Sequence, residues 1–109
     1  MATRPEFADE IRITLTGMDG VVVKPMFGEY GIWIDGKMVG LICDDLLFLK
    51  PSKGLLPHVE GFDEASPYPG AKPSIIVPQE RWKDRTWLTT IVSDSAASLP
   101  APKPKKPKP

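Results

Sequence analysis

Cys43 and His58 are the only cysteine and the only histidine in this 109-residue chain, so nucleophilic or metal chemistry would have to be built around them. Cys43 is followed by Asp44 and Asp45. Two adjacent carboxylates disfavour the thiolate, which is the reactive form of cysteine, so Cys43 reads as a structural thiol. A Cys43–His58 dyad would need a third group to orient the imidazole, and no such residue stands out. Asp44-Asp45 could ligate a metal or act as a carboxylate dyad, but paired aspartates between apolar runs are turn residues first. A single cysteine allows neither an intramolecular disulfide nor a multi-cysteine zinc site. The expectation is no catalytic residue, no metal and no cofactor.

Three nucleic-acid signatures also fail on their residue types. Gly28-Glu29-Tyr30-Gly31 has GXXG spacing, but a loop that clamps a nucleotide backbone must accept phosphate, and Glu29 opposes it. The aromatics of MFGEYGIWI lack the Lys or Arg that should open an RNP1 strand. No glycine-rich loop runs into Lys-Ser or Lys-Thr, which excludes a P-loop. The one directional charge feature is the C-terminus, where Lys103, Lys105, Lys106 and Lys108 alternate with prolines and no acid. Removing these four leaves 14 − 4 = 10 basic against 14 acidic residues, so the body carries about −4. Such a body is a poor average surface for DNA. The tail reads as a solvated terminus, with weak contact to RNA, DNA or anionic lipid as the functional alternative.

The elements that position these residues follow from periodicity. Phe7, Ile11, Leu15 and Met18 repeat at helical spacing and predict a helix over Glu6 to Thr16, stopped by Gly17. Val21 to Val23 is strand-like, and Pro25 places it at an edge, a bulge or a strand end. Lys24 to Lys50 then alternates apolar and small residues around Asp35-Gly36 and Asp44-Asp45, which predicts two consecutive tight hairpins. With regular pairing Ile34 faces Lys37, Trp33 faces Met38, Ile32 faces Val39, Gly31 faces Gly40 and Tyr30 faces Leu41. Leu41 then faces Phe48 and Gly40 faces Leu49. That puts Tyr30, Ile32, Ile34, Val39, Leu41 and Phe48 on one core face. Gly31, Trp33, Met38, Gly40, Ile42, Leu47 and Leu49 form the other. Leu55, Leu56, Val59 and Phe62 suggest a short helical turn, and Ser66 to Gly70 is turn chemistry. Lys72 to Pro78 predicts a further edge strand. Asp84 predicts an N-cap for a last helix, with Trp87, Leu88, Ile91 and Val92 at helical spacing.

The resulting expectation is an α+β domain over residues 1–98, with an antiparallel sheet flanked by N- and C-terminal helices, followed by a disordered Pro/Lys-rich tail over 99–109. The set Met26-Phe27-Gly28, Tyr30-Gly31, Asp35-Gly36-Lys37-Met38, Gly40-Leu41-Ile42, Asp44-Asp45 and Leu47-Phe48-Leu49-Lys50 resembles the N-terminal domain of the TfoX/Sxy competence regulators. The resemblance runs from about Phe7 to Ala97. It implies the same α+β fold and a role near regulation of bacterial DNA-uptake genes. Those regulators carry a second, helical domain where this sequence has its Pro/Lys run, so the resemblance is to a stand-alone N-terminal domain.

The functional expectation is a non-enzymatic cytoplasmic protein that acts through protein–protein contact, with an unknown protein partner or a homodimer and no membrane segment. Gly31, Trp33, Met38 and Gly40 are the candidate partner surface, since two facing glycines beside a Trp leave a shallow floor. Lys103, Lys105, Lys106 and Lys108 are the candidate polyanion contact. The alternatives are a nucleic-acid-associated accessory protein and a small-molecule-binding module on the glycine-lined face.

Overall fold

The computed structural model describes residues 4–26 and 28–99. Helix α1, Pro5–Thr14, starts with Pro5, whose fixed φ suits a first helical position. Five strands follow first: β1 Val21–Met26, β2 Glu29–Ile34, β3 Lys37–Cys43, β4 Leu46–Leu49 and the two-residue β5 Glu64–Ala65. Then come β6, Ser74–Val77, and α2, Arg85–Ser98. Asp84 caps α2, its carboxylate accepting from the Trp87 N–H at 3.2 Å. The strands form one antiparallel sheet in the order β1-β2-β3-β4-β6-β5. Pro25 is tolerated because β1 is an edge strand. The strand expected at the other edge, β6, lies one place in, because β5 pairs outside it.

Both helices lie on the same face of the sheet. Ala8, Ile11 and Leu15 from the α1 segment join Leu88, Ile91, Val92 and Ala96 of α2 in one buried cluster. The sheet contributes Ile32, Ile34, Val39, Ile42, Leu47, Leu49, Ile75 and Val77 to it. Trp82 closes one end, with its indole N–H donating to the Val77 carbonyl at 3.0 Å and its own carbonyl accepting from the Thr14 hydroxyl at 2.7 Å. Trp87 packs against this core, half-buried beside Phe62 and under the Arg81 guanidinium.

Both hairpins turn with left-handed backbone at their two central residues. Asp35 and Gly36 have φ of 50° and 81°, and Asp44 and Asp45 have φ of 52° and 62°, the type I′ signature. The first turn fixes Ile34 opposite Lys37 and Trp33 opposite Met38. Beyond that point the regular pairing fails. Ile32 stands opposite Gly40, Gly31 opposite Leu41 and Tyr30 opposite Ile42, with Val39 as the extra residue of a β-bulge. Beside the bulge, position 40 must be glycine, because a Cβ there would collide with the Phe48 carbonyl oxygen.

One extra residue reverses the faces of everything downstream. Val39 stays in the helix-side core with Ile32, but Leu41 does not follow it. Leu41 and its partner Phe48, expected beside Ile32, form a second buried cluster with Cys43 on the opposite face. Ile42, Leu47 and Leu49, expected on the side of Trp33, lie beneath the helices instead. Among the described residues no helix is long and apolar enough to cross a membrane.

Candidate partner-binding face

The face of the sheet opposite the two helices is apolar along its centre. Leu41, Cys43 and Phe48 are buried there, with Met26, Met38 and Ile76 packed around them. Three of the four residues expected to form a floor stay together. The Trp33 indole lies over Gly31, where a Cβ would come within 2.6 Å of the ring atom Cζ3 and 3.1 Å of Met38 Cε. Trp33 and Met38 are directly paired and half-buried. Lys24 Nζ sits 5.1 Å from the indole centroid, a cation–π distance. Gly40 does not join them. The bulge sets it opposite Ile32 and Leu49, both in the helix-side core, so Gly31 and Gly40 make no common floor.

The connector from Pro67 to Pro73 runs beside this face and leaves two grooves against it. One, of about 580 Å³, is lined by Met26, Leu41, Cys43, Glu29, Asp44 and the Pro67–Pro69 segment. The other, of about 400 Å³, runs past Gly40, Leu41, Phe48 and Tyr68 to Lys50, Lys72 and Leu99. Leu41, Pro67 and Tyr68 line both, so the two are neighbours. Tyr68 is 55% exposed. The first groove is acidic and the second basic at its far end.

Glu29 organises the acidic end. Its Oε2 accepts the Asp44 N–H at 2.6 Å and pins the second turn. Its Oε1 is buried beside the Cys43 thiol. The Cys43 thiol beside it is pushed up from its ordinary 9.0 to about 11, first by burial, then by the Glu29 charge and by a hydrogen bond between the two side chains. Asp44 contributes only the smallest part of that rise, so the carboxylate that keeps the thiol neutral is chiefly Glu29, fourteen positions away in sequence. Asp45 serves the fold, accepting from the Arg4 backbone N–H at 2.8 Å and from Arg4 Nε at 3.1 Å. It ties the second hairpin to the start of α1. His58 has a different neighbour from Cys43: its Nε2 lies 2.8 Å from Asp94 Oδ2 on α2. Among the described residues no group of three or more His, Cys, Asp or Glu is placed to hold a metal ion. Lys103, Lys105, Lys106 and Lys108 lie outside the described residues, as does the expected tail apart from Leu99.

Glu29 and Tyr68 are the groove residues that sequence reasoning passed over. Glu29 was legible only as an obstacle to phosphate. Tyr68 was absorbed into turn chemistry, although an aromatic flanked by two prolines is a stiff, apolar projection.

These features define a class: a small α+β domain whose antiparallel sheet is backed by helices on one face and grooved on the other. Residues 14–99 match the TfoX N-terminal domain, and the chain belongs to that family. The chain is also similar to an "uncharacterized 12.7 kDa protein in trpE 5'region" of Spirochaeta aurantia. The two are 39% identical over 88 residues, which covers 81% of this chain and 76% of that protein.

Proposed function

We propose that this chain is a non-enzymatic binding module that acts through protein–protein contact on its helix-free sheet face, in the setting of competence-gene regulation that the family resemblance implies. The observation that carries the reading is the apolar strip of Leu41, Cys43 and Phe48, flanked by half-buried Trp33, Met38 and Met26 and only partly covered by the chain's own loop. An apolar sheet face is ordinarily covered within its own domain. Half-buried Trp and Met at its margin are the residue types that anchor partner contacts. The absence of an enzymatic role is supported by the two most reactive side chains being engaged apart, with the Cys43 thiol held neutral and His58 paired with Asp94. A small-molecule module is the second reading, favoured by a groove whose volume of about 580 Å³ falls within the usual range for ligand pockets.

The test is affinity capture under nuclease treatment with three forms of the full chain. Trp33→Ala with Met38→Glu should lose the bound protein. Ile13→Glu, on the exposed side of α1 where Ile13 is 70% exposed, should keep it. Equal capture by all forms removes the face from the account. A bound small-molecule mass in native mass spectrometry, with no protein captured, favours the second reading.

A further inference from the structure

We propose that the partner on the helix-free face is a second copy of this chain, packed face to face about a two-fold axis that runs across the strands. This rests on the reading of that face as a contact surface and names its occupant. The observation that carries it is the distribution of charge. The β3–β4 turn puts Asp44, which is exposed, at one end of the face. Lys50 follows β4 at the opposite end, where its N–H donates to the Val39 carbonyl at 2.9 Å. Lys72 belongs to that end too, because β6 runs antiparallel to β4 with Ile75 opposite Leu49. Both lysines are exposed and line one groove. Between the ends lie buried Leu41 and Phe48, with Tyr68 over them and 55% exposed. From the turn to Lys50 the strand covers about 17 Å. That is twice the screening length of about 8 Å at physiological salt, so the two ends do not neutralise each other within one chain.

A two-fold contact uses one patch twice, so the patch must be its own complement. Face-to-face packing allows two settings of the axis in the plane of contact. An axis along the strands lays like end on like end, and Lys50 and Lys72 meet the same two lysines. An axis across the strands reverses the strand direction and keeps each strand over its own counterpart. Asp44 of each copy then meets Lys50 and Lys72 of the other, twice over, with apolar strip on apolar strip between. Like charges opposed across a contact are costly, so the charges select the second setting. Lys24 stacks on Trp33 at edge strand β1, away from this strip, where sheet twist opens two packed faces. An unrelated protein would need the same strip with both charges in reversed order, whereas a second copy has them by symmetry.

The area sets the strength. Five strands about 4.8 Å apart and six residues long make a footprint of about 24 by 20 Å. That is below the roughly 800 Å² per partner of a stable complex. The dimer is therefore reversible and concentration-dependent.

The experiment is sedimentation of the full chain from about 1 μM to about 1 mM. The parent should pass from monomer to dimer within that range. Asp44→Lys should weaken association about tenfold or more, and so should Lys50→Glu with Lys72→Glu. Ile13→Glu, on α1, should change nothing. A one-to-one mixture of the two charge variants should associate about as well as the parent, because each lysine then faces a carboxylate. If Asp44→Lys fails to fold in a circular dichroism melt, Asp44→Asn serves in its place, since Asn tolerates the left-handed turn. Added to the lysine reversal, it should restore part of the lost association. A monomer throughout the range overturns the proposal, as does a dimer indifferent to these charges or a mixture no tighter than its components. If protein capture depends on Trp33 and Met38 while the chain stays monomeric, the contact face stands and only the second copy falls. If the chain is monomeric and capture is equal for all forms, both fall.

Discussion

Adjacent residues on β3 should respond oppositely to the same substitution. Leu41 and Ile42 are 8% and 0% exposed, and both look like core positions by burial alone. The bulge puts them on different faces. Leu41→Lys removes an apolar side chain whose burial contributes about 1.5–3 kcal/mol. Its replacement has somewhere to go: the stem can lie along the groove while the ammonium reaches the end lined by Glu29 and Asp44. The net loss should be about 1–2 kcal/mol, or roughly 5–15 °C in Tm for a domain of this size. Ile42→Lys loses similar apolar burial and also pushes an ammonium into the buried, apolar helix-side core. Burying an unpaired charge adds several kcal/mol. The sum takes up most of the 5–15 kcal/mol typical of total stability, so this variant should show no cooperative melt. Far-UV circular dichroism melts of the two proteins decide the matter. A folded Ile42→Lys beside an unfolded Leu41→Lys would restore regular pairing and refute the bulge as the device that sorts the faces.

Gly31→Ala should force the Trp33 indole off the backbone it covers, since the new Cβ would meet the ring at 2.6 Å. The cost should be about 1 kcal/mol because only the far end of a side chain must move, with a red-shifted Trp33 emission read against Trp33→Phe; an unchanged spectrum counts against the stacked geometry. At Cys43, a thiol pushed up to about 11 should be alkylated at pH 8 about a hundredfold more slowly than in urea, where it titrates near 9.0. The unfolded chain loses that proton first, so stability should fall as pH rises from about 9 to 11, and Cys43→Ser should flatten the fall.

The elements were legible in the sequence because each rests on local chemistry. Asp35-Gly36 specified its turn, the apolar period specified α1 and α2, and Asp84 announced a cap that the structure uses. Asp44-Asp45 formed the same turn type with a less suited composition, because Glu29 and Arg4 hold it from outside. Those partners are distant in sequence, and nothing local reveals them. The face assignment failed for one reason. Alternation was carried straight through Gly40, although a glycine inside a strand is itself a signal for a bulge or a close backbone approach. Trp33 and Met38 were placed correctly because they lie on the turn side of the bulge. Gly40, Leu41 and Phe48 were misplaced because they lie beyond it.

The bulge also explains why a contact face exists here. On β3 and β4 the apolar residues outnumber what one face can take. Val39, Ile42, Leu47 and Leu49 go to the helices, and Met38, Leu41, Cys43 and Phe48 go to the other side. Strands that are apolar on both faces belong in a sheet covered on both faces. This chain spends both of its helices on one side. Among the described residues, a proline-rich loop approaches the strip on the other side and leaves grooves against it. A loop built on Pro67, Tyr68 and Pro69 cannot collapse to fill them, since proline fixes its own φ and restricts the residue before it. The apolar strip is therefore held partly covered by covalent stiffness, with the Glu29 carboxylate buried at one end and Lys50 and Lys72 at the other.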